Sequence, residues 1–97
     1  MTTTTFSIHN FLGNWLNNRK YGFGVQLYPD GRVYRGEWQD DLRAGSGILI
    51  LPNGGKYEGQ WWSDRKEGNG TYIDPNGKTV VGIWKNGKLE TVVPHTI

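Results

Sequence analysis

A five-residue motif that returns every 23 residues limits what this chain can fold into more than any other feature. An aromatic residue or valine stands first, glycine third and tryptophan last, and the four copies occupy residues 11–15, 34–38, 57–61 and 80–84. Paired glycines and Pro-Asp-Gly or Pro-Asn-Gly triplets repeat between the copies, so that thirteen of the 15 glycines lie on the period. Such self-similarity indicates an array of equivalent units that pack on their neighbours.

Each unit is predicted to be a β-hairpin. The triplet Pro29-Asp30-Gly31 and its equivalents form a turn because proline presets φ and glycine accepts a positive φ. A β-rich run (24–28) precedes this turn, an aromatic strand (34–38) follows it, and a six-residue polar loop (39–44) leads to the next unit. Helical periodicity is missing. We therefore expect an all-β fold, a single-layer meandering antiparallel sheet of consecutive hairpins.

The alternation of side chains along a strand assigns the two faces of this sheet. Tyr34, Gly36 and Trp38 share one face, whereas Val25 and Ile48 of the neighbouring strands point to the other. The rings are expected to lie across backbone that has no side chain, at Gly24, Gly47 and Gly70.

The period also divides the chain. The predicted segments are an N-terminal tail and cap (1–10), a degenerate first repeat (11–33), two full repeats (34–56 and 57–79) and a partial fourth repeat with a C-terminal cap (80–97). Open sheet edges expose unpaired backbone, so residues 6–8 and 91–93 are expected to cover them. Residues 2–5 are expected to fray.

The repeated pattern of Tyr-x-Gly-x-Trp, Gly-x-Gly and Pro-Asn/Asp-Gly resembles the MORN (membrane occupation and recognition nexus) repeat. The resemblance covers roughly residues 11 to 90. It implies an array of β-hairpins, and the family is associated with protein–protein interaction, scaffolding and contact with phospholipid membranes. It does not imply catalysis.

Composition excludes several kinds of chemistry. Cysteine is absent, which rules out disulfides, thiol nucleophiles and cysteine-rich zinc sites. Lys and Arg number 11 against 9 acids, an excess too small to indicate nucleic acid as a partner. The start of the chain lacks the features of a secretory signal, and a cytoplasmic protein is expected, with peripheral attachment to a membrane as the alternative.

No catalytic, cofactor or metal site is predicted. The two histidines, His9 and His95, stand outside the repeats, where no rigid neighbours would surround them. The acids between repeats are Asp40, Asp41, Asp64 and Glu67. An open single sheet encloses such acids too little to shift their pKa values for acid–base work. We therefore do not expect an enzyme.

Aromatic side chains are the first candidates for binding. Periodic rings usually pack a core, but a one-layer sheet cannot bury both of its faces, so a partner could enter an aromatic groove or add to a sheet edge. Trp62 is off the pattern, because its equivalents are Leu16, Gln39 and Lys85. The predicted partner-binding residues are Tyr34, Trp38, Tyr57, Trp61 and Trp62. This favours a scaffold or a small antitoxin-like inhibitor that blocks another protein.

Cations between the repeats suggest an alternative to protein binding, namely attachment to a membrane. Stacked hairpins would align Arg19, Lys20, Arg43, Arg65, Lys66 and Lys88 along one edge. Such a ridge could bind anionic phospholipid, although acids in the same loops favour a merely solvated surface. Because one thin sheet buries little, a homodimer is also expected.

Overall fold

The computed structural model describes residues 3–8 and 10–94, which form nine β-strands and no helix. The strands are β1 (Thr3–Ile8), β2 (Phe11–Leu16), β3 (Arg19–Leu27), β4 (Val33–Gln39), β5 (Leu42–Ile50), β6 (Lys56–Trp62), β7 (Arg65–Ile73), β8 (Thr79–Lys85) and β9 (Lys88–Val92). They follow chain order across one antiparallel sheet. The predicted single-layer meander is confirmed.

The predicted proline turn closes one end of each hairpin. The amide of Gly31 donates to the carbonyl of Tyr28 at 3.0 Å, and Gly54 and Gly77 form the same bond at 3.0 and 2.9 Å. These glycines have φ between 88° and 96°, a range that side-chain-bearing residues rarely adopt. The repeated Pro-Asx-Gly triplet therefore fixes where each pair of strands reverses.

The connection at the other end of each hairpin is shorter than predicted, and the prediction of a six-residue loop is wrong. Only Asp40 and Asp41 lie between β4 and β5, and both have positive φ, 49° and 70°. Two successive residues of positive φ make a type I′ turn, whose twist matches that of the flanking strands. The equivalent turns are Asn17-Asn18, Ser63-Asp64 and Asn86-Gly87. Residues predicted to lie in a loop therefore belong to strands and alternate between the two faces.

The two glycines of each pair have different roles. Gly45 has φ +70° and lies in an irregular part of the β4–β5 pairing, after which Trp38 pairs with Arg43. A Cβ on Gly47 would overlap the Tyr34 ring, and a Cβ on Gly36 would come within 2.5 Å of the Gly47 backbone. Phe11 covers Gly24 and Tyr57 covers Gly70 in the same way. The prediction that the rings lie on bare glycine backbone is confirmed.

The two outer strands extend the array at its ends. β1 pairs with β2, and β9 pairs with β8. Beyond β9, the amide of Val93 donates to the carbonyl of Val81 at 2.8 Å. The expectation of a frayed tail is wrong for Thr3, Thr4 and Thr5, because all three pair with β2. Thr2 lies outside the described residues.

The ring-on-glycine contact predicts which glycine tolerates a methyl group. Gly47→Ala should lower the free energy of unfolding by about 3 kcal/mol, because the new Cβ must displace the Tyr34 ring. Gly54→Ala is the control, since a Cβ at that position would meet nothing within 4 Å and only the positive φ opposes the change. That control should cost about 1 kcal/mol. Urea unfolding followed by circular dichroism measures both, and equal losses would contradict the packing described.

Candidate functional site

The predicted aromatic stripe forms one continuous series of ring contacts, here called the ring ladder. In spatial order the ladder runs Trp15, Phe11, Trp38, Tyr34, Trp61, Tyr57 and Trp84. Neighbouring ring centroids are 5.0 to 5.4 Å apart, and the ring planes cross at 81° to 89°. Edge-to-face contacts of this kind are favourable because the positive ring edge meets the negative ring face. Every repeat is thereby joined to the next.

The ring ladder buries most of the predicted partner-binding residues. Tyr34 is 0% exposed, Tyr57 1%, Trp61 4% and Trp38 5%. These four rings form the core of the molecule, together with Phe11 and Leu49. They expose almost no surface of their own on the face that carries them, here called the ring face. Trp38 and Trp61 nevertheless line a shallow cleft of about 480 Å³ together with Trp62.

Polar atoms of the ladder are hydrogen-bonded inside the array. The indole Nε1 of Trp38 donates to the carbonyl of Gly24 at 3.3 Å, and that of Trp61 donates to Gly47 at 3.2 Å. The Tyr34 hydroxyl donates to the carbonyl of Glu37 at 2.9 Å. These bonds fix each ring on its glycine, because a buried donor without an acceptor would be costly.

Three of the six predicted ridge cations lie on the ring face. The Lys20 ammonium is 5.0 Å from the ring centroids of both Phe11 and Trp38. Arg43 lies 4.6 Å from the Trp61 ring and Lys66 lies 5.0 Å from the Trp84 ring. Cations stacked on rings in this way stabilise the packing and lose contact with solvent.

The structure therefore does not bring the six cations into one ridge. Arg19, Arg65 and Lys88 are exposed, and each stands next in sequence to a residue of the ring face. Alternation along the strands assigns Arg19 and Lys88 to the opposite face of the sheet, here called the outer face. The reason is the two-residue turn, which makes neighbouring cations alternate between faces. Arg65 is exposed too, but it also lines a cleft with Arg43 and Lys66.

Acids of the type I′ turns connect consecutive hairpins. The carboxylate of Asp41 accepts from the backbone amide of Lys20 at 2.7 Å. Asp64 accepts from the amide of Arg43 at 3.1 Å and from its Nε at 2.7 Å. At the corresponding position of the last turn, Gly87 keeps only the backbone bond, to the carbonyl of Lys66. These two acids therefore bridge consecutive hairpins at the type I′ turns.

Trp62 is the predicted partner-binding residue that the structure leaves open to solvent, with 59% of its surface exposed. It lies on the outer face at the end of β6, paired with Arg65 of β7. Beside it is a cleft of about 120 Å³ that Leu42 and Ala44 of β5 also line. Ala44 is 7% exposed and Leu42 39%. The cleft thus joins an exposed ring to an apolar floor.

Leu42 and Ala44 were not among the residues that sequence reasoning singled out. Both fell in the predicted six-residue loop, where no face can be assigned. The signal was present at Asp40 and Asp41, because adjacent residues that tolerate positive φ indicate a two-residue turn. That turn places Leu42 opposite Gln39 and sets the parity of β5.

Within residues 3–8 and 10–94, no group of three or more His, Asp or Glu residues could hold a metal ion. Among the same residues, no helix is long and apolar enough to cross a membrane. His9 and His95 lie outside the described residues.

Burial of the tyrosines predicts a loss of stability in alkali. Loss of solvation raises the pKa of Tyr57 to about 12 from 10.0. Its hydroxyl donates to the carbonyl of Gln60 at 3.0 Å, a bond that only the protonated form can make. Loss of solvation raises the pKa of Tyr34 further. Since the folded state favours the protonated form, its stabilisation is complete below pH 10 and is lost as the pH rises towards 12.

Tyr57→Phe isolates this contribution. At neutral pH the variant should be about 1 kcal/mol less stable, because it lacks the bond to Gln60. Between pH 10 and 12 it should lose less stability than the unaltered chain. Urea midpoints across this range, with absorbance at 295 nm to follow tyrosinate, measure both effects. Parallel curves for the two proteins would contradict the burial of this hydroxyl.

Comparison with known proteins agrees with this geometry. No curated protein matches the chain at a significant level. The family model of the MORN repeat matches residues 11–31, 34–56 and 57–79, which together make up more than half of the chain. These segments coincide with the first three hairpins that the ring ladder joins. MORN repeats are in general non-catalytic modules for protein or membrane interaction, and this chain belongs to the MORN repeat family.

Proposed function

We propose that this chain is a non-catalytic protein-interaction module whose outer face receives an apolar side chain of a partner protein at Trp62. The observation that carries the proposal is the 59% exposure of Trp62 beside a cleft lined by Leu42 and Ala44. Exposed tryptophans are enriched in protein interfaces, where they contribute much of the binding energy.

The repeat itself does not require a ring at this position. The equivalent residues are Leu16, Gln39 and Lys85, and the array accommodates all of them at the end of an aromatic strand. Trp62 adds nothing to the ring ladder, which lies on the other face. Its large apolar surface is therefore available for an external contact.

Charge near the cleft indicates the chemistry of the partner. Arg65 is exposed, pairs across the strands with Trp62 and forms no ion pair within the described residues. A carboxylate beside the incoming apolar side chain would complement this guanidinium and speed association. The proposed ligand is thus a partner segment with an aromatic or aliphatic residue next to Asp or Glu.

Attachment to an anionic membrane is the second candidate. An exposed tryptophan beside arginine suits the headgroup region of a bilayer. However, only Arg19, Arg65 and Lys88 of the predicted ridge remain exposed. At about 1 kcal/mol for each cation near the surface, three cations give a weak electrostatic attraction.

Panning of a phage-displayed random peptide library against the immobilised chain tests the proposal. Enriched peptides should carry an aromatic or aliphatic residue next to an acid. Their affinity should fall about tenfold or more against Trp62→Gln. The matched control is Leu27→Gln, which alters a 50% exposed residue of the same face at the far end of β3. That variant should bind the peptides as the unaltered chain does.

Three results would contradict the proposal or redirect it. Enriched peptides that bind Trp62→Gln unchanged would exclude the cleft. Sedimentation showing a dimer that Trp62→Gln converts to a monomer would make a second copy the occupant of this face. Binding to vesicles of phosphatidylserine and phosphatidylcholine, absent from pure phosphatidylcholine and abolished by Trp62→Gln, would replace the protein partner with a membrane.

A further inference from the structure

A second cleft, on the ring face, has positive charge that the array does not neutralise. It is a shallow, open cleft of about 220 Å³ between the second and third repeats, and its lining includes Leu49, Trp61, Asp64 and the four cations Arg32, Arg43, Arg65 and Lys66. It shares no lining residue with the Trp62 cleft, although Arg65 pairs across the strands with Trp62.

Arg43 contributes a guanidinium with one uncommitted nitrogen. Its Nε donates to Asp64 at 2.7 Å and its Nη2 donates to the carbonyl of the same residue at 2.9 Å. Its Nη1 is buried and has no hydrogen-bond partner. Only 13% of the Arg43 side chain is exposed, so water reaches this group poorly. Buried donors are normally satisfied, and an exception calls for an explanation.

Lys66 contributes a second cation without an acceptor. Its ammonium lies over the rings of Tyr57 and Trp84 and forms no ion pair or side-chain hydrogen bond within the described residues. Burial lowers the pKa of Lys66, and the nearby charge of Arg43 lowers it further. Two cations therefore stand close together with only the Asp64 carboxylate between the hairpins to offset them.

The first repeat shows what is missing at this place. Lys20, the equivalent of Arg43 and Lys66, donates to the side-chain oxygen of Gln26 at 2.6 Å. One and two periods later, the residues equivalent to Gln26 are Leu49 and Tyr72. Leu49 offers no acceptor. The first cation thus has a side-chain oxygen partner within its own repeat. Arg43 bonds instead to Asp64 of the following turn, which leaves its Nη1 without an acceptor.

We propose that this cleft binds an oxyanion of the phosphate monoester class, held by Arg43 and Lys66, with Arg32 at its rim. A doubly charged group suits the site because neither the Lys66 ammonium nor the buried Nη1 of Arg43 has an acceptor within the described residues. The other donors of Arg43 bond to Asp64, and Arg32 is paired with Asp30 at 2.8 Å. Guanidinium and ammonium groups that donate to phosphate oxygens form strong charge-assisted hydrogen bonds. The small volume admits the phosphate and little more, so the remainder of the ligand extends into solvent.

Nuclear magnetic resonance titration with inorganic phosphate, at constant ionic strength set with chloride, tests the site. The amides of Arg43 and Lys66 and the indole of Trp61 should shift with a single saturable curve. Lys66→Met removes the charge and keeps an apolar stem over the rings, so it should fold at least as well. Its phosphate affinity should be lower by about tenfold or more.

Two further variants make the test specific. Lys20→Met makes the same change in the first repeat, where Gln26 accepts a hydrogen bond from the ammonium group. This variant should leave phosphate affinity unchanged. Leu49→Gln supplies an internal acceptor of the kind that Gln26 provides and should weaken phosphate binding by competing for Arg43. The Gln26 side chain shows that this position accommodates glutamine in a buried setting.

Vesicles distinguish the sources of the phosphate group. Binding to phosphatidic acid vesicles that Lys66→Met abolishes and Lys20→Met preserves would identify a lipid headgroup. Phosphate binding with no vesicle binding would identify a soluble phosphate monoester. Equal phosphate affinity in the unaltered chain and Lys66→Met, or shifts confined to Arg19 and Lys88, would show an adventitious ion only and overturn the proposal.

Discussion

The contact of an aromatic ring with bare glycine backbone is the interaction on which this structure depends. A single sheet has no second layer to cover its apolar face, so the rings of one repeat lie flat on the strands of the same and the next repeat. Tyr34 can do so only because Gly36 and Gly47 have no side chains. The rings then meet edge to face from Trp15 to Trp84, and the array has a core one ring thick. Stability of this kind comes from nearest neighbours along the chain.

This core separates the functions of the two faces. On the ring face the central aromatic side chains are buried, Trp15 and Trp84 at the two ends are partly buried, and cations such as Lys20 lie over the rings. What remains accessible there is charge at the cleft between the second and third repeats. The outer face has no comparable cover, and Trp62 stands on it as an exposed ring. A protein partner at Trp62 and a phosphate group at Arg43 and Lys66 would therefore bind in separate clefts, with Arg65 next to both.

Much of the fold could be predicted from the sequence, because the period fixes turns, strands and ring positions together. The predicted packing of rings on glycine backbone and the predicted proline turns are both confirmed. The error lay in the turn at Asp40 and Asp41, taken for part of a longer loop. The order of the strands is the same whether the connection has six residues or two. The length of the connection does decide which face of the sheet each cation occupies. Because spacing alone does not give the turn length, it could not assign the six predicted ridge cations to one face or the other. For the same reason it could not show the cleft at Leu42 and Ala44. The difference between Gln26 and Leu49 was visible in the sequence, but its meaning depends on the side-chain geometry around Lys20 and Arg43.

The central claim is that the ring face is the interior of this protein and the outer face its open surface. Photochemically induced nuclear polarisation of the five tryptophans measures this directly, since a dye in solution polarises only indoles that it can touch. Strong polarisation should appear for Trp62, which is 59% exposed, and none for Trp38 and Trp61, which are 5% and 4% exposed. Polarised Trp38 and Trp61 together with a silent Trp62 would reverse the two faces and contradict the account.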